Sequence, residues 1–213
     1  MRLGAIVPAA GLSRRMGREK ILLPFGRSTI LETVLRTLLE AGVAPKAIAV
    51  VLRPDLEGAH DLAARAGSTV LVNPDPAGEM MSSIRLGLAG LPDADADAID
   101  AFFVWPADHP AVSLGTIRLL GASADRDLVW IPRYRARRGH PAVVGRALAP
   151  AVAAVPDGLG LRELWRLRAD AVREVDVEDP GVVANLDTPA EYEAARRLRS
   201  DRDERSPPGH RGV

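Results

Sequence analysis

Four groups of residues have the types and spacing to do chemistry, and the first is Pro8-Ala-Ala-Gly-Leu-Ser-Arg-Arg-Met-Gly-Arg-Glu-Lys20. Ala9, Ala10 and Gly11 have almost no side chain, so successive backbone N–H groups can come close to an oxyanion. Gly11 and Gly17 tolerate the positive φ values that such a loop requires. Ser13 can add a hydroxyl donor, Arg15 a planar fork matched to phosphate oxygens, and Lys20 a compact charge. The spacing is neither that of the P-loop nor that of the dinucleotide fingerprint. A tight turn leading into a solvated basic segment would use the same letters, so the loop alone leaves both readings open.

The second group is a pair of carboxylates, Asp108 in W-P-A-D-H-P and Asp187 in N-L-D-T-P. Hard oxygen ligands at these places could hold Mg²⁺ against a triphosphate. Each has a plainer use as well: Asp108 as a turn or cap residue, and Asp187 within a capping box formed with Thr188, Pro189 and Glu191. The third group is Asn73-Pro-Asp75 followed by Ser82-Ser-Ile-Arg85, where hydroxyls at a helix N-terminus could bind an anion or simply cap the helix. In the fourth, Arg133, Arg135, Arg137 and Arg138 lead into Gly139-His140-Pro141, and Pro156-Asp-Gly-Leu-Gly-Leu-Arg162 comes later. Clustered cations could neutralise a phosphorylated ligand; a charge run is equally a solvated loop, and a lone His is usually solvated or satisfied. Asp93, Asp95 and Asp97 alternate like a calcium loop, but Ala98 and Val104 stand where an EF-hand needs Gly and Glu, which leaves a solvated connection.

These groups need elements to position them. Apolar runs of strand length occur at residues 3–7, 47–52 and 101–105, and further strands are expected at 69–72, 128–131 and 172–177. Between them, helical spacing runs from the Thr29–Glu32 capping box to Gly42, then over about 56–65, 80–88, 114–120, 145–154 and 160–168. Residues 182–186 form a last organised piece before a helix begins at Pro189. Alternation of this kind predicts an α/β fold, a three-layer α/β/α sandwich with a mainly parallel, Rossmann-like central sheet. Ligands bind such sheets at the carboxyl ends of the strands, where the 8–20 loop must lie. One domain over residues 1–198 is expected. The segment 199–213 has no apolar periodicity and is expected to be a disordered tail.

Composition sets the outer limits. Lys+Arg and Asp+Glu are equal at 28 each, so no global field favours nucleic acid or a membrane, and any anion site must be local. The absence of Cys excludes a disulfide scaffold, a thiolate metal site and a Cys nucleophile. No signal-like N-terminus and no apolar stretch long enough to span a bilayer are present, which agrees with a cytoplasmic location.

A-A-G-L-S-R-R-M-G with Lys20 resembles the A-A-G-x-x-x-R-M-G-x-x-K signature of the MobA-like NTP transferase family, nucleotidyltransferases with a glycosyltransferase-A-like fold. The branch it most resembles is the molybdenum-cofactor cytidylyltransferase type, with the guanylyltransferase type nearby. W-P-A-D-H-P is similar to the family's L-x-D-x-P, whose Asp is a metal ligand, and N-L-D-T-P to D-x-D-T-P, whose second Asp helps hold the metal. The 73–85 segment resembles N-P-x-x-x-x-G-M-S-S-S-[IL]-R, and Arg138-Gly-His-Pro141 resembles G-R-R-G-H-P. The 156–162 stretch resembles G-D-x-G-x-R on the acceptor side. Trp105-Pro106, His109, Asn185 and a one-residue offset at Gly78-Glu79-Met80 depart from these patterns, and together the matches cover nearly all of residues 1–198.

The resemblance implies transfer of a nucleoside monophosphate from an NTP, with CTP favoured, to a phosphorylated small molecule of molybdopterin type, with release of pyrophosphate. Mg²⁺ is the implied cofactor and Mn²⁺ the alternative. It implies catalytic roles for Arg15, Lys20 and Asp108, and metal ligation by Asp108 and Asp187. Nucleotide binding falls to Ala9, Ala10, Gly11, Ser13, Lys20, Asn73, Ser82 and Ser83, and acceptor binding to Arg138, His140 and Arg162. It implies no nucleic-acid or membrane partner, and a molybdoenzyme or its chaperone as the protein partner. A phosphate monoester acceptor is largely dianionic at pH 7, with a second pKa of about 6, so no general base is required. The alternatives are a phosphorylated sugar or alcohol as acceptor, GTP as donor, or a nucleotide-binding domain without turnover. The last does not need the set Arg15, Lys20, Asp108 and Asp187, and a Rossmann oxidoreductase lacks its fingerprint here.

Overall fold

Strand β1 (Leu3–Pro8) takes the middle of the sheet because its inner residues, Gly4 to Val7, are buried on both faces. The coordinates are a computed structural model that describes residues 1–11, 19–75, 80–93, 98–156 and 158–205. On one side of β1 lie β4 (Ile48–Leu52) and then β5 (Thr69–Val72); on the other lies β6 (Ala101–Val104), all parallel. Beyond β6 the order continues through β9 (Ala142–Gly145), β7 (Val129–Tyr134) and β10 (Val172–Asp176). Only β9 and the two-residue β8 (Arg137–Arg138) run against the rest. The sheet is therefore mainly parallel, as the alternation predicts.

Helices cover both faces. Helix α3 (Met80–Ala89) crosses β1 so closely that a Cβ on Gly87 would overlap the Ile6 side chain. Helix α4 (Leu114–Ser123) meets Leu3 through Gly121 in the same manner. Ile6 and Leu3 have opposite parity along the strand and so face opposite sides, which places α3 and α4 in different layers. Helix α1 (Ile30–Glu40) packs with α4 and α2 (Glu57–Arg65) with α1, while α5 (Ala149–Ala153) packs with α3 and α6 (Leu161–Leu167) with α5. The expected capping box starts α1: Thr29 N donates to Glu32 Oε2 at 2.8 Å, and Glu32 N to Thr29 Oγ1 at 3.2 Å.

Several local expectations differ. The 145–154 helix is shorter and later, because Ala142–Gly145 is strand β9, inserted between β6 and β7 where all four of its residues are buried. Residues 180–183 form a 3-10 turn at the place of the last organised piece. A small hairpin, β2 (Pro24–Phe25) with β3 (Ser28–Thr29), precedes α1. Helix α7 (Pro189–Arg205) passes Arg199, where the expected tail begins; its polar residues are good helix formers, and Glu193 pairs with Arg196 at 3.2 Å. Residues 206–213 of the expected tail lie outside the described residues. No described helix is long and apolar enough to cross a membrane.

Candidate active site

The chemistry gathers at the carboxyl ends of β1, β4 and β6. Past its end β1 still bonds to its neighbours: Ala9 N donates to Val51 O at 2.9 Å, and Ala107 N to Pro8 O at 3.2 Å. That second bond lays the segment after β6 beside the small-residue loop and sets Asp108 next to it. Leu186 N donates to Asp108 O at 3.0 Å, which brings Asp187 to the same place from the far end of the chain. Lys20, at the head of a 3-10 turn (Lys20–Leu22), then joins them. Its Nζ lies 3.1 Å from Asp108 Oδ2 and 3.2 Å from Asp187 Oδ1.

Both carboxylates also sit in the local settings that their plainer uses require. Helix α4 is capped by Ser113, and Asp108 lies in the turn that His109 N closes by donating to Pro106 O at 3.2 Å. At α7 the cap is Thr188, whose Oγ1 accepts from Glu191 N at 3.3 Å while the Asp187 backbone N–H donates to Glu191 Oε2 at 3.1 Å. Both carboxylate side chains turn to Lys20. Burial pushes the Asp108 carboxyl up, but the hydrogen bond from His109 and the Lys20 ammonium outweigh it, and the group is held well below the usual carboxylate range.

Ala9, Ala10, Gly11, Lys20, Ser83 and Asp108 line a cavity of about 240 Å³ together with Met80. Ser13 and Arg15 lie outside the described residues, as do Gly78 and Glu79 at the offset. Asn73 sits behind this wall, 3% exposed, and its Nδ2 donates to Ser82 Oγ at 2.9 Å and Ser83 Oγ at 3.0 Å. It therefore fixes the first turn of α3 against the end of β5, and it brings Ser83 to the cavity. Arg85 turns away from the serines and donates to the carbonyls of Ala153 (3.0 Å) and Val155 at the end of α5.

Met80 also lines a second, larger cavity of about 850 Å³. The three expected acceptor residues, Arg138, His140 and Arg162, all border it, against an apolar wall that includes Met81, Ile131 and Trp165. Arg138 is paired with Glu174 at 2.6 Å, and Arg133 with both Glu174 and Asp176. Arg137 and Arg162 make no ion pair among the described residues. His140 is fixed from its backbone, which donates to Val182 O at 2.8 Å, and Gly139 is needed because a Cβ there would strike that same carbonyl. Burial lowers the His140 imidazole to about 4, with neighbouring His109 acting in the same direction and Asp108 against it, and its Nδ1 is buried without a partner among the described residues. The ring lies 4.6 Å from that of His109.

Two residues of the site have no role assigned by the motifs. Arg53, 3% exposed at the end of β4, donates to Gly11 O at 2.9 Å, to Asp55 at 2.6 Å and to Glu19, so it grips the loop on both sides of its charged stretch. The second is His109, whose Nδ1 meets Asp108 Oδ1 at 2.8 Å. For Arg53 the only sequence signal is a cation directly after a buried strand.

Among the described residues no Ser is paired with a base as a nucleophile, and the chain has no Cys. The groups present can hold polyphosphate, gather positive charge on it, and set a second anionic molecule beside it, which is the work of an enzyme that transfers part of a nucleoside triphosphate. The model of the MobA-like NTP transferase domain matches residues 5–175, and the chain belongs to that family, as a nucleotidyltransferase. The molybdenum cofactor cytidylyltransferase of Escherichia coli (strain K12) is 26% identical over 194 residues, covering 91% of this chain and 95% of that protein. The nicotine blue oxidoreductase of Paenarthrobacter nicotinovorans is 31% identical over 193 residues, covering 86% and 91%. Rv0371c from Mycobacterium tuberculosis H37Rv superposes with a TM-score of 0.79 at 26% identity, over 92% of this chain and 98% of that one. Its complex with manganese superposes at 0.74 and 24% identity, over 92% and 99%. The fold is that of the glycosyltransferase-A-like nucleotidyltransferases.

Proposed function

We propose that the chain transfers CMP from CTP to the phosphate of a molybdopterin-type acceptor, releasing pyrophosphate, with Mg²⁺ or Mn²⁺ bound at Asp108 and Asp187. The observation that carries this reading is the Lys20 bridge: two carboxylates from distant parts of the chain converge on one cationic group at the mouth of a phosphate-sized cavity. That convergence fits a hard divalent ion, which takes oxygen ligands and completes its shell from phosphate and water. No cluster of three or more His, Asp or Glu able to hold a metal occurs among the described residues, so the ion's remaining ligands would come from the nucleotide. When bound, the metal neutralises charge on the phosphates.

The chain's own part is to hold and orient. Backbone N–H groups of Ala10 and Gly11 receive phosphate oxygens, and Lys20, with Arg15 as its expected companion, meets charge that develops at the α-phosphate. An acceptor phosphate oxygen forms the new bond to the α-phosphorus as the bond to the bridging oxygen breaks, and pyrophosphate leaves with the electron pair. Arg162, Arg138 and His140 border the room for the acceptor, beside the first cavity and sharing Met80 with it. The name of the Escherichia coli relative supports cytidylyl transfer and this acceptor, and the manganese complex of the mycobacterial protein supports a divalent ion. Pyrophosphate release measured over four NTPs, each with molybdopterin-type and simple sugar or alcohol phosphates, tests it. CTP with the pterin acceptor should be the fastest pair; a faster GTP or sugar-phosphate pair would overturn the assignment.

A further inference from the structure

The two carboxylates are held in the same way. Asp108 Oδ2 faces Lys20 while Oδ1 lies 2.8 Å from His109 Nδ1; Asp187 Oδ1 faces Lys20 while Oδ2 accepts from Asn185 Nδ2 at 2.9 Å. In each case one oxygen meets the shared cation and the other is tied to a neighbour along the chain. The terminal torsion of an Asp is broad, so without such a tie the carboxylate would sample many orientations.

His109 is itself immobilised. It is 8% exposed, its N–H donates to Pro106 O at 3.2 Å, and its carbonyl accepts from the indole of the fully buried Trp105 at 3.1 Å. The His140 ring closes the other side at 4.6 Å. An ionised carboxylate only accepts, so the proton of this contact sits on Nδ1.

From this we infer that His109 and Asn185 are positioning residues: each fixes the outer oxygen of one carboxylate so that the inner pair stays aimed at one cation. The inference rests on the metal reading of Asp108 and Asp187. Outer-sphere partners of this kind typically change metal affinity by roughly 10- to 100-fold when removed.

The full-length protein is titrated calorimetrically with Mn²⁺·CTP and with CTP in EDTA, and the ratio of the two affinities isolates the metal's contribution from general damage. His109→Leu should lower that ratio by roughly tenfold or more, with metal-free CTP affinity kept. His109→Asn, nearly the same shape as Leu but with a donor at the δ position, should stay near the wild-type ratio. Asn185→Leu should fall in the direction of His109→Leu. A wild-type ratio in His109→Leu, or equal losses in the Asn and Leu variants, overturns the positioning role. Asp108→Asn separates this from the reading beneath it: if that variant keeps the ratio, or the wild-type shows no metal-dependent gain, the metal site fails and the positioning role falls with it.

Discussion

The two adjoining cavities are built on opposite principles. In the smaller one the charged groups are few, mostly buried and mutually paired: Lys20 between Asp108 and Asp187, held from behind by His109 and Asn185. It sits at the carboxyl ends of the parallel strands β1 and β6, whose inner residues are buried. The larger one opens where the sheet turns antiparallel at β9; its arginines are more exposed, and they pair with Glu174 and Asp176 on β10 or remain unpaired among the described residues. On the proposed reading the first side holds a triphosphate and a metal, which demand one geometry and suit a preorganised wall, and the second meets a bulky acceptor, which long, adaptable side chains over an apolar wall can accommodate. Mutations should therefore cost much and affect chemistry in the first cavity, and cost little and affect one substrate in the second.

The largest effect is expected for Asp108→Asn and Lys20→Ala. Each should lower kcat roughly 100- to 1,000-fold, about 3–4 kcal/mol, because the charge acts on the transition state in a partly dry site. Stopped-flow pyrophosphate release at saturating nucleotide measures it. Lys20 keeps one partner in Asp108→Asn, so the unfolding midpoint should move by only a few degrees. If instead both variants kept kcat and merely raised KM, the preorganised side would be a binding surface and the contrast would collapse.

On the loose side, His140→Ala should reduce kcat/KM for the acceptor about 5- to 30-fold, roughly 1–2 kcal/mol, with the affinity for metal·nucleotide unchanged. Equal losses for both substrates would place His140 functionally in the first cavity, through its ring contact with His109. The same imidazole gives a stability signal. Its folded value, lowered to about 4 mainly by burial, lies below the ordinary 6.5. As pH falls through 6.5 the unfolded chain therefore takes up a proton that the folded chain refuses. Stability should decline between pH 6.5 and 4.5 by on the order of 2 kcal/mol, and His140→Gln should flatten that decline in denaturant titrations. Asp108 acts below this window: its folded value is depressed, so its contribution is complete above about pH 4 and is lost only on further acidification.

The same contrast explains what could be read from sequence. Strands β1, β4 and β6 are apolar on both faces and announce themselves, and the residues that follow them inherit a position, which is why Ala9–Gly11 and Asp108 could be placed in advance. Strand β9 could not: Ala142–Gly145 is four apolar residues whose partners are 40 positions upstream on β6 and on β7, and a short apolar run does not distinguish strand from helix. The convergence of Lys20, Asp108 and Asp187 is a tertiary fact that only the sheet order supplies. His109 and Asn185 look like departures from a motif because a motif records the ligand and not what steadies it. Arg53 was hidden for a related reason, since Arg53-Pro-Asp55 after a strand looks like an ordinary turn.

The smallest expected effect tests the loose side most directly. Glu174 accepts from Arg138 at 2.6 Å and from Arg133 at 3.0 Å, so it draws two cations of the larger cavity toward β10 and partly cancels their charge. Glu174→Gln keeps the shape and one accepting oxygen while removing the charge, which leaves those guanidinium groups more strongly positive toward an incoming phosphate. Exposed pairs of this kind are worth about 0–1 kcal/mol, so KM for an anionic acceptor should fall only about 2- to 5-fold. Arg133 keeps Asp176, which limits the gain further. At 0.5 M salt the improvement should fade, because screening then acts over a few ångströms. The nucleotide KM should not move at either salt concentration. An improvement that survives high salt would mean that Glu174 constrains the shape of the cavity and not its charge, and a change in the nucleotide KM would mean that the two cavities are mechanically joined through Met80.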